Sequence, residues 1–373
     1  MTGNQAYQKS INVALVMRAI RDNPGISRTE IATTTGLTKS TVGNLARQLC
    51  ARGLIRESGS GGGGGAGRPR VGLVLTERAA TVVGVELRRN EVFTVTMDLA
   101  GTVLERRSSR EYGGQGPFDT LQEAWHATGE LLRETPIPRC VGIGVAVPAT
   151  TDPIHGTVIE SEDFDVRGFN LESLTVIDAV VPVLLENDAN AVAWGAIGRE
   201  NGSTAVRTGE LLVVTGRFDA SSKALRIGTG IVLEDRVFYG KDFGAGEFRS
   251  IRWRQGMTGE LAERDGSGRA ALVELCENLT VAVSMLRPQR VIVAGDLVER
   301  LPMIRDILSS ELAGAFVDPR VGGVPFVAAE DGEHAVASGA GQMFLEHLFE
   351  IPGVDRRRPQ GVPEWQDLTG NSL

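Results

Sequence analysis

The sequence predicts a chain of two parts, a small helical head followed by a larger α/β body. Three observations carry that prediction. The first is charge. Residues 1–80 hold eleven Lys and Arg against four Asp and Glu, a balance of +7, so the remaining −15 of the total −8 falls on the rest of the chain. The second is periodicity, with apolar residues at helical spacing up to about residue 51 and strand-like runs after residue 80. The third is the glycine tract Gly61–Gly65 between them. A basic head on an acidic body suits a phosphate-binding module joined to a small-molecule domain, with chance clustering of charge as the plain alternative. Three scattered cysteines, Cys50, Cys140 and Cys276, supply neither a disulfide framework nor a metal clip. The polar opening MTGNQAYQKS is unlike a signal or spanning segment, so the expected location is the cytoplasm, away from membranes.

In the head, Ile11, Val13, Ala14, Val16, Met17 and Ile20 mark a first helix that stops before Asn23-Pro24-Gly25. Ser27, three residues before Glu30, forms a capping box for a second helix with Ile31, Ala32 and Leu37 facing inward. Gly36 ends it. Thr38 then caps a third helix, to about Ala51, with Val42, Leu45, Ala46 and Leu49 inside. The spacing of Ala32 at a close crossing, Gly36 in the turn and Val42 in the core is that of a helix-turn-helix. Such a unit lays its second helix in the major groove of double-stranded DNA. Lys39, Ser40, Thr41, Asn44, Arg47 and Gln48 are therefore the outward candidates for contact. The alternative is an ordinary helical hairpin with solvated polar positions.

Two strand-like segments follow, beginning at Gly53 and Val71, with residues 57–70 between them as a wing or a plain linker. Arg68 and Arg70 would form a basic tip suited to a narrow minor groove. The winged helix-turn-helix is assigned to residues 1–78.

The body opens with runs Val82–Leu87 and Val92–Met97 around Arg88-Arg89-Asn90, a hairpin pattern, and Gly101–Leu104 can add a third strand. A helix is expected over 118–134, then strands at Cys140–Pro148, Leu211–Thr215 and Val291–Gly295, and a helix after Glu186-Asn187-Asp188. Strands alternating with helices make the body α/β. Residues 79–350 are assigned to it, and 351–373, with little periodicity, to a flexible tail.

Four segments of the body resemble the ROK family of repressors and sugar kinases: Gly142–Pro148, Glu186–Gly195, Gly230–Gly240 leading to Gly244–Glu247, and Val291–Leu297. The resemblance implies a two-lobed, actin-like ATPase fold, and the head in front is similar to the repressor branch. It also implies a sugar or sugar-phosphate effector at Asn187, Asp188 and Glu247, where the family's kinases place a sugar-holding amide, a general base and a further sugar contact. A carboxylate beside an amide does suit adjacent hydroxyls. Caps for Asn187 and Asp188, and a surface role for Glu247, are the structural alternatives.

The nucleotide machinery departs from that pattern. Glu86-Leu87-Arg88-Arg89-Asn90 stands where the kinases carry Asp-x-Gly-Gly-Thr, although the arginines could still attract a phosphate. Residues 217–226 are inserted before Gly228-Thr229-Gly230, so phosphoryl transfer is expected to be lost and no cofactor is expected. The family's zinc ligands are missing: Phe248-Arg249-Ser250 follows Glu247, and His126, His155, His334 and His347 lack ligand spacing. The reading is a repressor of carbohydrate-related genes working as a homodimer or dimer of dimers. An active sugar kinase with a DNA-binding head, and an effector-independent protein using the body as an oligomerisation scaffold, are the competitors.

Overall fold

The computed structural model describes residues 2–59, 71–76, 78–109, 120–133, 139–170, 181–201, 209–219, 224–250, 252, 260–262, 268–310, 312, 323–353, 358–359 and 361–368. In the head, α1 (Thr2–Asp22), β1 (Ile26–Ser27), α2 (Arg28–Thr35), α3 (Lys39–Ala51), β2 (Ile55–Ser58) and β3 (Gly72–Leu75) follow in order. Ser27 and Glu30 make the reciprocal capping box, and Gly36 closes α2 at φ 72°. The Thr38 side chain accepts from Thr41 N to start α3. Val42, Leu45, Ala46 and Leu49 of α3 are buried against Val16, Met17 and Ile20 of α1. β3 lies between β1 and β2, all antiparallel, which gives the wing its sheet. The proposed tip arginines, Arg68 and Arg70, lie outside the described residues.

The first lobe of the body contains β4 (Thr81–Arg88), β5 (Glu91–Asp98), β6 (Val103–Ser108), α4 (Leu121–Arg133) and β7 (Cys140–Val147). It continues through β8 (Thr150–Asp152), β9 (Thr157–Ser161), β10 (Val166–Asn170), β11 (Val183–Asn187) and α5 (Asp188–Asn201). Its main sheet runs β11-β7-β4-β5-β6, an antiparallel meander extended by parallel strands, while β8, β9 and β10 form a separate antiparallel sheet. The second lobe repeats the plan with β12 (Leu211–Asp219), β13 (Ala224–Leu233), β14 (Arg236–Val237), β15 (Glu260–Ala262), α6 (Arg269–Leu286), β16 (Arg290–Gly295), α7 (Leu297–Ser310) and β17 (Phe326–Ala328). The order is β14-β13-β12-β16-β17, with β12 and β13 antiparallel and β12, β16 and β17 parallel.

α8 (Ala335–Phe349) returns to the first lobe and lies between β4, β7 and α5. Glycine permits that approach. A Cβ on Gly84 would stand 1.9 Å from Ala337 O, and one on Gly144 1.9 Å from Ala340 O. The Gly142–Pro148 motif is thus, in part, a helix-packing surface.

Within 351–373, expected to be a flexible tail, the described residues include a helix packed against the body. The last helix, α9 (Trp365–Leu368), buries Trp365 against Phe349, with ring centroids 5.0 Å apart, and also buries Leu368. Ser10 donates to Glu364 at 2.5 Å, Tyr7 to Pro352 O at 3.3 Å, and Arg139 to Leu368 O at 2.9 Å. Two large apolar side chains among prolines carry no period, so the sequence hid an anchor that ties α1 to the body.

Candidate functional site

Two surfaces correspond to the two expectations. On α3, Lys39, Ser40, Asn44, Arg47 and Gln48 are exposed, and Thr41 is half-buried. The hydroxyl of Thr41 lies 2.9 Å from that of Thr38, and Asn44 accepts from Arg47 at 3.1 Å. Thr41 therefore serves the cap as well as the face, while the other five project from the helix opposite its buried stripe. Arg28 pairs with Glu57 at 2.8 Å, tying α2 to the wing strand β2.

The second surface is a cleft of about 310 Å³ between the lobes. Asn187, Asp188 and Glu247 all line it, together with Thr150, Thr215, Gly228 and two arginines, Arg217 and Arg226. Asn187 stands at the join of β11 and α5, and its Oδ1 accepts from the amides of Ala189 at 2.9 Å and Asn190 at 3.2 Å. Its Nδ2 donates to Ala149 O at 2.9 Å. The capping alternative is thus realised in Asn187, which leaves one amide hydrogen for a ligand. Glu247 accepts from Thr150 at 2.7 Å and keeps further acceptor capacity toward the cleft.

Asp188 is buried, and burial pushes its carboxyl above the ordinary range. Arg217, 2.7 Å away, pulls it back, whereas the charge of Glu86 pushes it higher. Arg217 also stands 3.8 Å from Glu86 and 3.6 Å from Asp163, and Arg226 pairs with Asp163. Arg88 does not offer itself to a phosphate. Its guanidinium folds onto buried Glu86 at 2.5 and 3.0 Å and lies 4.3 Å from the centroid of the Phe93 ring. Three carboxylates and three guanidinium groups thus form one network beneath the cleft. Position in sequence could flag Arg217, as part of the insertion, but not its partner.

The inserted segment is itself regular structure. β12 and β13 pair from Leu211↔Val232 through Asp219↔Ala224, so Thr215 faces Gly228 and Arg217 faces Arg226 in the ladder. Phe218 and Leu225 pack toward Leu272 and Leu297 in the core of the second lobe. β16 pairs on the other side of β12 up to Gly216. The β12 amides through Gly216 lie between two ladders and are not open to cradle phosphate oxygens.

Behind the cleft, Glu186 is buried and accepts from Tyr239 at 2.5 Å, Trp194 at 3.1 Å, Asn190 at 3.2 Å and the amide of Asn187 at 2.8 Å. Burial raises its carboxyl above the ordinary range, and these donors oppose the rise. Trp194 in turn packs on His347 of α8 at 5.0 Å between ring centroids. His155 pairs with Asp152 at 2.7 Å, and among the described residues no cluster of His, Cys, Asp and Glu could hold a metal ion. No helix among them is long and apolar enough to cross a membrane.

Comparison with known proteins separates head from body. The MarR family profile matches residues 10–64, the helix-turn-helix and the start of the wing. The xylose repressor of Bacillus spizizenii is 23% identical, covering 93% of this chain and 98% of its own. A solved ROK family transcriptional regulator, a homologue of the E. coli MLC protein, superposes with a TM-score of 0.68 at 17% identity, over 92% of this chain and 97% of that one. The chain shares the fold of that ROK family regulator. A putative xylose repressor of Caldicellulosiruptor sp. is 29% identical over 66% of this chain, and the chain spans 59% of that relative's length. The chain combines a two-lobed actin-like body with a helix-turn-helix head, the arrangement that the match to the solved regulator covers.

Proposed function

We propose that this chain is a ROK family DNA-binding transcriptional repressor of carbohydrate-related genes whose body senses a small sugar in the cleft between its lobes. Residues 1–78 act as the head and 79–350 as the sensing body. The observation that carries the reading is the coexistence, in one chain, of an exposed polar and basic α3 face with a cleft that presents Asp188 and Glu247. Lys39, Ser40, Thr41, Asn44, Arg47 and Gln48 face operator DNA, with Arg68 and Arg70 at the wing tip. A pseudo-palindromic operator calls for two heads, hence a homodimer or a dimer of dimers.

Phosphoryl transfer is not part of the function. The base position is engaged by Arg217 at 2.7 Å, Arg88 is folded onto Glu86, and the phosphate-loop segment is a two-stranded ladder. The scaffold alternative draws support from one feature, the two capping bonds and the bond to Ala149 O that occupy most of the Asn187 side chain. Fluorescence anisotropy with DNA from upstream of the protein's own operon, with and without a panel of sugars, tests both. Binding relieved by one sugar is the expected result. Specific binding indifferent to every sugar would establish the scaffold, and absence of specific binding would remove the repressor reading.

A further inference from the structure

The cleft is unevenly charged. Glu160, Glu162 and Asp163 from the β9 side face Asp188 and Glu247, and among the described residues the cations lining it are Arg217 and Arg226. Both are engaged. Arg226 pairs with Asp163, and Arg217 bonds Asp188 at 2.7 Å while lying within 4 Å of Asp163 and Glu86. The first amides of α5 are taken by Asn187 and Asp188 oxygens, and β12 and β13 are paired with each other from Leu211↔Val232 through Asp219↔Ala224.

A phosphate or carboxylate entering the cleft would therefore have to break an existing ion pair and then sit beside unneutralised carboxylates. A neutral sugar meets no such opposition. Its hydroxyls donate to Asp188 and Glu247, whose oxygens accept, and the arginine pairs stay intact. We infer that the cleft selects a sugar bearing no phosphate or carboxylate group and rejects the corresponding sugar phosphates and sugar acids. This rests on the effector reading above and narrows its ligand class.

Calorimetric titration of the full-length protein with matched ligands tests it: glucose against glucose 6-phosphate and glucuronate, N-acetylglucosamine against its 6-phosphate, and xylose as a neutral pentose. At least one neutral sugar should bind, and its anionic counterpart should bind roughly ten-fold more weakly or worse. Asp163→Asn, which removes a carboxylate and loosens both arginines, should narrow that gap. Glu162→Gln, at an exposed position, should narrow it less. A phosphate ester or uronate that binds as tightly as its parent sugar overturns the charge selection and leaves the effector reading standing. A gap unchanged in Asp163→Asn overturns its electrostatic cause. If no sugar of either kind binds, the effector reading itself falls and takes this inference with it.

Discussion

Arg217 and Asp188 meet at 2.7 Å across the interlobe cleft, one from the extended hairpin of the second lobe and the other from the first turn of α5. The pair holds Asp188 as one half of a salt bridge. Removing the arginine would leave Asp188 buried, with Glu86 nearby and its main countercharge gone. Arg217→Ala should cost about 2 kcal/mol, below the value for a completely buried pair because Arg217 is partly exposed. Urea unfolding checks it, and the double variant with Asp188→Ala should recover part of that stability. Two additive single effects would mean that the pair contributes no coupling.

DNA affinity should follow α3. Arg47→Ala and Lys39→Ala are each expected to weaken operator binding and to lower the slope of log affinity against log salt by roughly one for each phosphate no longer neutralised. Anisotropy at several salt concentrations measures the slope. An unchanged slope and affinity in both variants would remove the α3 face from the interface.

The seam between head and body is a physical link between the proposed sensing body and the DNA-binding head. Arg21 of α1 pairs with Glu346 of α8 at 3.3 Å and lies 4.5 Å over the Phe349 ring, whose other neighbour is Trp365. Trp365→Ala should cost about 3 kcal/mol of stability, in the range for a large buried aromatic. Arg21→Met, which keeps apolar bulk but removes the charge, should bind operator normally while showing a smaller drop in affinity on adding sugar. A full sugar response in Arg21→Met would place the coupling elsewhere.

A pH dependence follows from Glu186. Its carboxyl lies above the ordinary value of 4.5, chiefly through burial. Below 4.5 the folded and unfolded forms are both protonated. Between 4.5 and the raised folded value, the folded protein holds a proton that the unfolded chain releases, so this group's contribution to stability falls as pH rises. Above that window the cost is constant. Glu186→Gln cannot titrate, so the stability difference between wild type and variant should shift against the wild type as pH rises through the window. Thermal unfolding from pH 4 to 8 measures it, and a difference that is flat across the series would contradict the raised carboxyl.

Much of the head was legible residue by residue. Ser27, Glu30, Gly36 and Thr38 act through bonds to their near neighbours in sequence, and the buried positions of α3 follow helical spacing. The expected hairpin at 88–90 and the first helix of the body were legible for the same reason. Asn187 illustrates the limit: the sequence allowed both a cap and a sugar ligand, and the structure shows its bonds going mostly to the cap. The anchoring of Trp365 was not legible, because its partners Phe349 and the α1 face lie far away along the chain.

What the sequence determined by itself was therefore the local part: helix ends, strand alternation, the basic head on an acidic body, and the placement of Asn187 and Asp188 at a helix start. Only the tertiary structure decided which charges meet. Arg88 could have turned to a phosphate but folds onto Glu86, two residues back along the same strand, where a buried carboxylate needs a countercharge. Arg217 reaches Asp188 of the first lobe from β12 of the second. Local bonds depend on spacing, which a sequence displays, whereas the strength and partners of a charge depend on burial and distance, which the fold sets.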